Sequence, residues 1–179
     1  MLRTLLTLFL VCILWGCSST KPPNSAYNQG VTAYQAKDYQ TARQEWQKAV
    51  AAGDLSALNN LGFLLYQGLG GEPDKKLAVT YWRQAAEKRH SEAQSHLAAA
   101  YEEGSVLPQS SIEAYAWYRC AIESTKSSAD SDVEAYIAQD AAYALTKLLS
   151  KLQASEFIVA EALAKQYVQQ YASSQSKHD

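Results

Sequence analysis

Apolar and polar positions follow two regimes along the chain. Leu5 to Trp15 is an 11-residue apolar run broken only by Thr7. From Ala26 onward, apolar residues recur at steps of three and four instead. Ala78, Trp82 and Ala85 are so spaced, which puts all three on one face of a helix. The same trio stands 36 residues earlier as Ala42, Trp46 and Ala49, and 36 later as Ala114, Tyr118 and Ala121. That stride also links Ala57 to Ala93, Leu61 to Leu97 and Gly68 to Gly104. Each unit therefore predicts a first helix such as 56–66 and a second such as 75–88. In the central unit Gly68, Gly70, Gly71 and Pro73 supply the turn between them. Neither helix can bury its apolar face alone, so pairs must stack on neighbours in a solenoid, and about three repeats are needed for stability. The expectation is an all-α solenoid of antiparallel helix pairs, with three pairs over residues 26–123.

The helical pattern outlasts the repeat. Ile137, Ala141, Leu145, Leu148 and Leu149 mark a helix within 133–152, and Ser155 is the expected N-cap of another over 156–172. Residues 124–172 are thus expected to form a hinge and a C-terminal capping helix pair. Such a cap hides the apolar stacking face that ends an array. Residues 173–179 read as a disordered tail.

The first regime is an address. Eleven apolar residues fall short of the roughly 20 that span a bilayer, whereas a cleaved export signal has a short basic start and an apolar run of roughly 7 to 15. Residues 1–16 fit the second description, with Arg3 as the basic start. Cys17 is then either lipidated as the new N-terminus or, if the signal is cut elsewhere, lost with it or left as a stray thiol. Composition narrows the function classes further. Loss of Arg3 with the signal takes the net charge from −2 to −3, and no basic stripe suits a phosphate backbone, so no nucleic-acid partner is expected. Cys12 would leave with the signal and Cys17 would carry lipid. Cys120 then has no internal disulfide partner, and the fold must be held by its core.

Leu14, Trp15, Gly16 and Cys17 resemble the lipobox of bacterial lipoproteins. That resemblance implies a diacylglyceryl and an N-acyl group on Cys17, and Ser18 after it implies sorting to the outer membrane. Residues 17–25, with Pro22 and Pro23, would form the lipidated N-terminus and a flexible tether. The stretch from Ala57 to His90 resembles a Sel-one-like repeat, a branch of the tetratricopeptide superfamily. The matching residues are Ala57, Leu61, Gly62, Tyr66, Gly68, Ala78, Tyr81, Trp82, Ala85, Ala86 and Glu87. The next unit has Ala98 in place of the glycine and Cys120-Ala121-Ile122 in place of Ala-Ala-Glu. The first unit, with Gly30, Tyr34, Tyr39, Ala42, Trp46 and Ala49, looks closer to a plain tetratricopeptide pair.

The remaining motifs offer little reactive chemistry. The SxxK matches at Ser18 and Ser174 lack SDN and KTG companions. The glycines of the central turn are followed by no Lys-Ser/Thr step, so they are turn residues and not a phosphate cradle. His90, His96 and His178 have no partner at ligand spacing, so neither a metal nor another cofactor is expected. The cysteine pairs of Sel-one-like proteins linked to β-lactam binding are missing.

A surface is left. The family resemblance places first helices on the concave side, which points to Tyr27, Tyr34, Asn59, Asn60, Phe63, Tyr66, Gln67, Ser95, His96 and Glu102, with Glu103 nearby. Aromatic rings with polar tips and side-chain amides suit peptide recognition, though Tyr34, Phe63 and Tyr66 are equally suited to packing between helices. The first helices hold no paired Lys and Arg to clamp a C-terminal carboxylate. The expected function is a noncatalytic interaction scaffold, lipid-anchored at the periplasmic face of the outer membrane, whose partner is an envelope protein or peptide segment, with peptidoglycan also possible. The alternative is a cell-wall enzyme using Glu102, Glu103 and His96.

Overall fold

The computed structural model describes residues 25–126 and 132–172. The expected signal, Cys17, the tether up to residue 24, part of the expected hinge and the tail from 173 lie outside them. The described residues form α1 (Ala26–Gln35), α2 (Tyr39–Ala51), α3 (Leu55–Gln67), α4 (Lys75–Ala86), α5 (Ser91–Glu103), α6 (Ser111–Thr125), α7 (Asp132–Leu149) and α8 (Ala154–Tyr171). No strand occurs among them.

Local chemistry starts each repeat helix. A side-chain acceptor takes a backbone N–H of the first turn in all six: Ser25, Asp38, Asp54, Asp74, His90 and Ser110. Glycine ends α3 and α5, where Gly68 and Gly104 adopt left-handed φ values of 69° and 73°. Three turns, one inside the first pair and two between pairs, use one device. Lys37, Gly53 and Arg89 take positive φ, and the amide after each bonds back to the carbonyl of Ala33, Ala49 or Ala85. This is a Schellman turn, and at Gly53 and Arg89 it joins consecutive pairs with the same local hydrogen bonding.

Packing obeys the stride. Ala42, Ala78 and Ala114 are fully buried, and Trp46, Trp82 and Tyr118 retain only 3%, 3% and 5% of their surface. Each indole lies over a glycine of the preceding helix: Trp46 over Gly30 and Trp82 over Gly62. Their Nε1 groups donate to Tyr27 O and Asn59 O, both at 3.2 Å, each carbonyl lying three residues before the glycine. One apolar cluster fills the space among α1 to α4 and a second runs from α3 to α8, with Phe63, Tyr66 and Tyr81 packed against both.

The C-terminal region departs from expectation in three respects. α6 continues through Thr125, so the first residues assigned to a hinge are helical. α8 is capped by Gln153, not Ser155, through reciprocal bonds with Glu156. α7 and α8 do not form a stacked pair of their own; both pack on α6. Trp117 is the residue that α8 covers, stacking on Tyr171 at 5.3 Å and meeting Tyr167 at 4.8 Å.

Candidate functional site

The first helices of the three pairs, α1, α3 and α5, border a groove of about 610 Å³. Tyr27, Val31, Tyr34 and Gln35 come from α1, Asn59, Asn60 and Phe63 from α3, and Glu92 and His96 from α5. Trp46 of α2 and Val133 of α7 complete the lining. A second pocket of about 420 Å³ adjoins it and shares Tyr27, Asn60, Glu92 and Val133. Helical spacing explains the gathering. Residues four apart share a face, as do Tyr27 and Val31, Asn59 and Phe63, and Glu92 and His96.

Six of the ten residues expected on the concave face therefore meet in one groove: Tyr27, Tyr34, Asn59, Asn60, Phe63 and His96. The other four do not border it. Tyr66 packs on Trp82 at 4.9 Å, and its hydroxyl donates to Glu103. Gln67 is exposed at the end of α3. Ser95 holds a buried hydroxyl with no protein partner. Glu102 accepts from Lys151 at 2.8 Å beside a different pocket, lined also by Leu148. Glu102 stands ten residues beyond Glu92 on α5, about 15 Å further along the helix, which carries it out of the groove.

The groove is polar at its floor and apolar along its walls. Asn59 is 1% exposed, and its Nδ2 donates to Glu92 Oε2 at 2.8 Å. Asn59 Oδ1 is buried without a donor from the protein. His96 stacks on Trp82 at 4.7 Å and lies 6.1 Å from Phe63. Burial among these rings, with His90 nearby, pushes its pKa down to about 4, although 28% of the side chain stays open. Its Nε2 is 3.9 Å from Glu92 Oε1, but a neutral ring makes no ion pair there at neutral pH. Burial, with repulsion from Glu134, raises the Glu92 pKa, opposed by the Asn59 bond.

Glu92 and Val133 escaped the sequence reading. The signal for Glu92 was present, since it lies one turn before His96 on α5. Val133 was not legible, because only the tertiary placement of α7 brings it to α1 and α3.

The cluster suggested for an enzyme does not assemble. His96 belongs to the groove, whereas Glu102 and Glu103 border another pocket with Lys151. Bonds from Tyr66 and Lys75 hold the Glu103 carboxyl at a pKa of about 2, so it is no general acid at neutral pH. His90 is engaged as the α5 cap, its Nδ1 accepting from Ala93 N at 3.4 Å. Among the described residues, no cluster of His, Cys, Asp and Glu could hold a metal ion, and no helix is long and apolar enough to cross a membrane.

Known proteins share this architecture. The Sel1 repeat family model matches residues 55–90 and 91–125. A protective antigen present in uropathogenic Escherichia coli strains, whose crystal structure displays an SLR fold, superposes with a TM-score of 0.70 at 28% identity over 82% of this chain. A Sel1 repeat protein from Oxalobacter formigenes superposes with a TM-score of 0.52 at 32% identity over 55% of it. The chain spans 30% of the length of the first and 41% of the second. No curated protein matches significantly.

Proposed function

The chain is a Sel1-like repeat protein, and from that premise we propose that it is a noncatalytic scaffold of the bacterial cell envelope, anchored in the outer membrane by lipid on Cys17. Its groove would hold a segment of another envelope protein. Sel1-type arrays are interaction modules, and the observation that carries the reading is the groove itself. Rings, carboxamides and one carboxylate from three successive pairs converge there, with no assembled nucleophile, acid-base pair or metal cluster among the described residues. Such a surface gives contact area and directional hydrogen bonds without reactive groups. The anchoring half rests on residues 5–17 and is independent of the groove. A single acyl chain binds a membrane only marginally, so attachment needs at least two, as a lipidated Cys17 would supply.

Crosslinking in native membranes tests the first half. Asn60→Ala and Phe63→Ala are expected to lose a partner that Gln67→Ala retains, and crosslinks that survive both groove variants would refute it. Membrane fractionation tests the second: Cys17→Ser should release the protein, and unchanged attachment would contradict lipidation.

A further inference from the structure

α1, α3 and α5 contain no lysine or arginine, and their only acidic residues are Glu92, Glu102 and Glu103. Two of these three carboxylates receive a cation from elsewhere in the chain. Lys75 Nζ meets Glu103 Oε1 at 2.9 Å, and Lys151 Nζ meets Glu102 Oε1 at 2.8 Å. Glu92 receives none. Lys88 and Arg89 border the adjoining pocket with it but close no ion pair with it, and its other neighbour Glu134 is acidic. The Glu92 side chain keeps 44% of its surface and borders the open groove.

The chain also shows what completes such an arrangement. Lys75 sits 4.5 Å from the Tyr66 ring centre while bonded to Glu103, and Arg119 sits 5.9 Å from the Tyr115 ring centre while bonded to Glu161 at 3.0 Å. Carboxylate, aromatic ring and cation form one unit in both places. The groove supplies the first two, in Glu92 with Tyr27 and Phe63. All three residues border the groove.

Resting on the scaffold reading, we propose that the groove takes an extended peptide segment whose lysine or arginine enters beside Glu92 while an apolar neighbour packs against Phe63 and Tyr34. The cation supplies the charge that Glu92 lacks. An acidic segment is disfavoured, because every ionised side chain bordering the groove at neutral pH is a carboxylate.

A randomised library of short peptides selected on the immobilised full chain decides the matter. Wild type is expected to enrich a basic residue beside an apolar one. The best such peptide should bind about tenfold more weakly to Glu92→Gln. Replacing its basic residue by glutamine should cost wild type a similar factor and cost Glu92→Gln little. Glutamine can still accept from Asn59, and unchanged helical circular dichroism confirms an intact fold. Peptides that need Phe63 and Asn60 but carry no basic residue would overturn the inference while leaving the scaffold reading in place. If no Phe63-dependent peptide emerges, both fall.

Discussion

At the scale of single residues, the solenoid depends on a few close approaches that its stride encodes. A methyl group added at Gly62 would sit 2.7 Å from Trp82 Nε1 and 2.9 Å from its Cδ1, inside any tolerable contact. Alanine is the better helix former by about 1 kcal/mol, while overpacking costs about 1 to 3 kcal/mol. Gly62→Ala is therefore expected to lose up to about 2 kcal/mol in urea unfolding. The third pair shows the compensated version, with Ala98 and Tyr118 buried at the corresponding positions. Combining Gly62→Ala with Trp82→Tyr should recover about 1 kcal/mol relative to the sum of the singles, and strict additivity would break the interlock argument. Lys37 carries the opposite strain, since it holds φ 62° where Gly53 serves the next turn. Lys37→Gly is expected to stabilise by about 0.5 to 1 kcal/mol, because relief of a left-handed side chain outweighs the added freedom of the unfolded chain. A loss of stability would show that the turn imposes no strain. The trio of Ala, aromatic and Ala was legible because helix-helix contact admits only small residues beside one large ring. Asn59 as a buried floor residue was not, since its depth depends on how α3 and α5 cross.

At the scale of elements, caps and turns set the boundaries, and the sequence shows most of them. Asp54, Asp74 and Ser110 stand just before apolar periodicity, where a cap is expected. Gln153 was hidden by Ser155, a better cap by residue type, because the capping box also needs Glu156 to reach back to the Gln153 amide, and only Gln153 stands three residues before it. Between elements, Lys75 of α4, Tyr66 of α3 and Glu103 of α5 form a polar rung across two repeats. Bonds from Tyr66 and then Lys75 lower the Glu103 pKa from 4.5 to about 2. The folded state thus holds its proton less tightly than the unfolded chain does. The stabilisation from this group is complete above about pH 4.5 and is lost as pH falls through about 2. Glu103→Gln should remove that part of the acid-induced loss, so its stability should fall less steeply between those limits than wild type. A parallel decline would mean that the rung contributes nothing. Solvent screening keeps the effect small, because both charged partners are more than a third exposed.

At the scale of the molecule, repetition explains the fold as far as α6, whereas the last two helices cannot be read from a stride. α7 and α8 share no repeat unit, so their periodicity announced helices without saying that both would pack on α6. Their outer faces leave Tyr136, Tyr143, Ile158 and Val159 exposed, so the cap covers the stacking face of α6 without presenting a wholly polar surface of its own. Position in the array should also set local stability. In a solenoid each pair gains from its neighbours, and an end pair has one neighbour where an inner pair has two. α1 and α2 pack on each other and, through α2, on α3, whereas α6 is held by α5, α7 and α8. Native-state amide exchange should accordingly find that α1 and α2 open at a lower free energy than α4 to α6. Trp46→Ala should speed exchange in α1 and α2 while leaving α5 and α6 almost unchanged. Trp82→Ala should speed exchange on both sides of the central pair, because its ring touches Tyr66 and His96 as well as Gly62. If Trp46→Ala instead loosened the chain uniformly, the eight helices would be one cooperative unit and not a stack of coupled pairs. The groove would then gain its rigidity from the whole molecule, and not from the three first helices that border it.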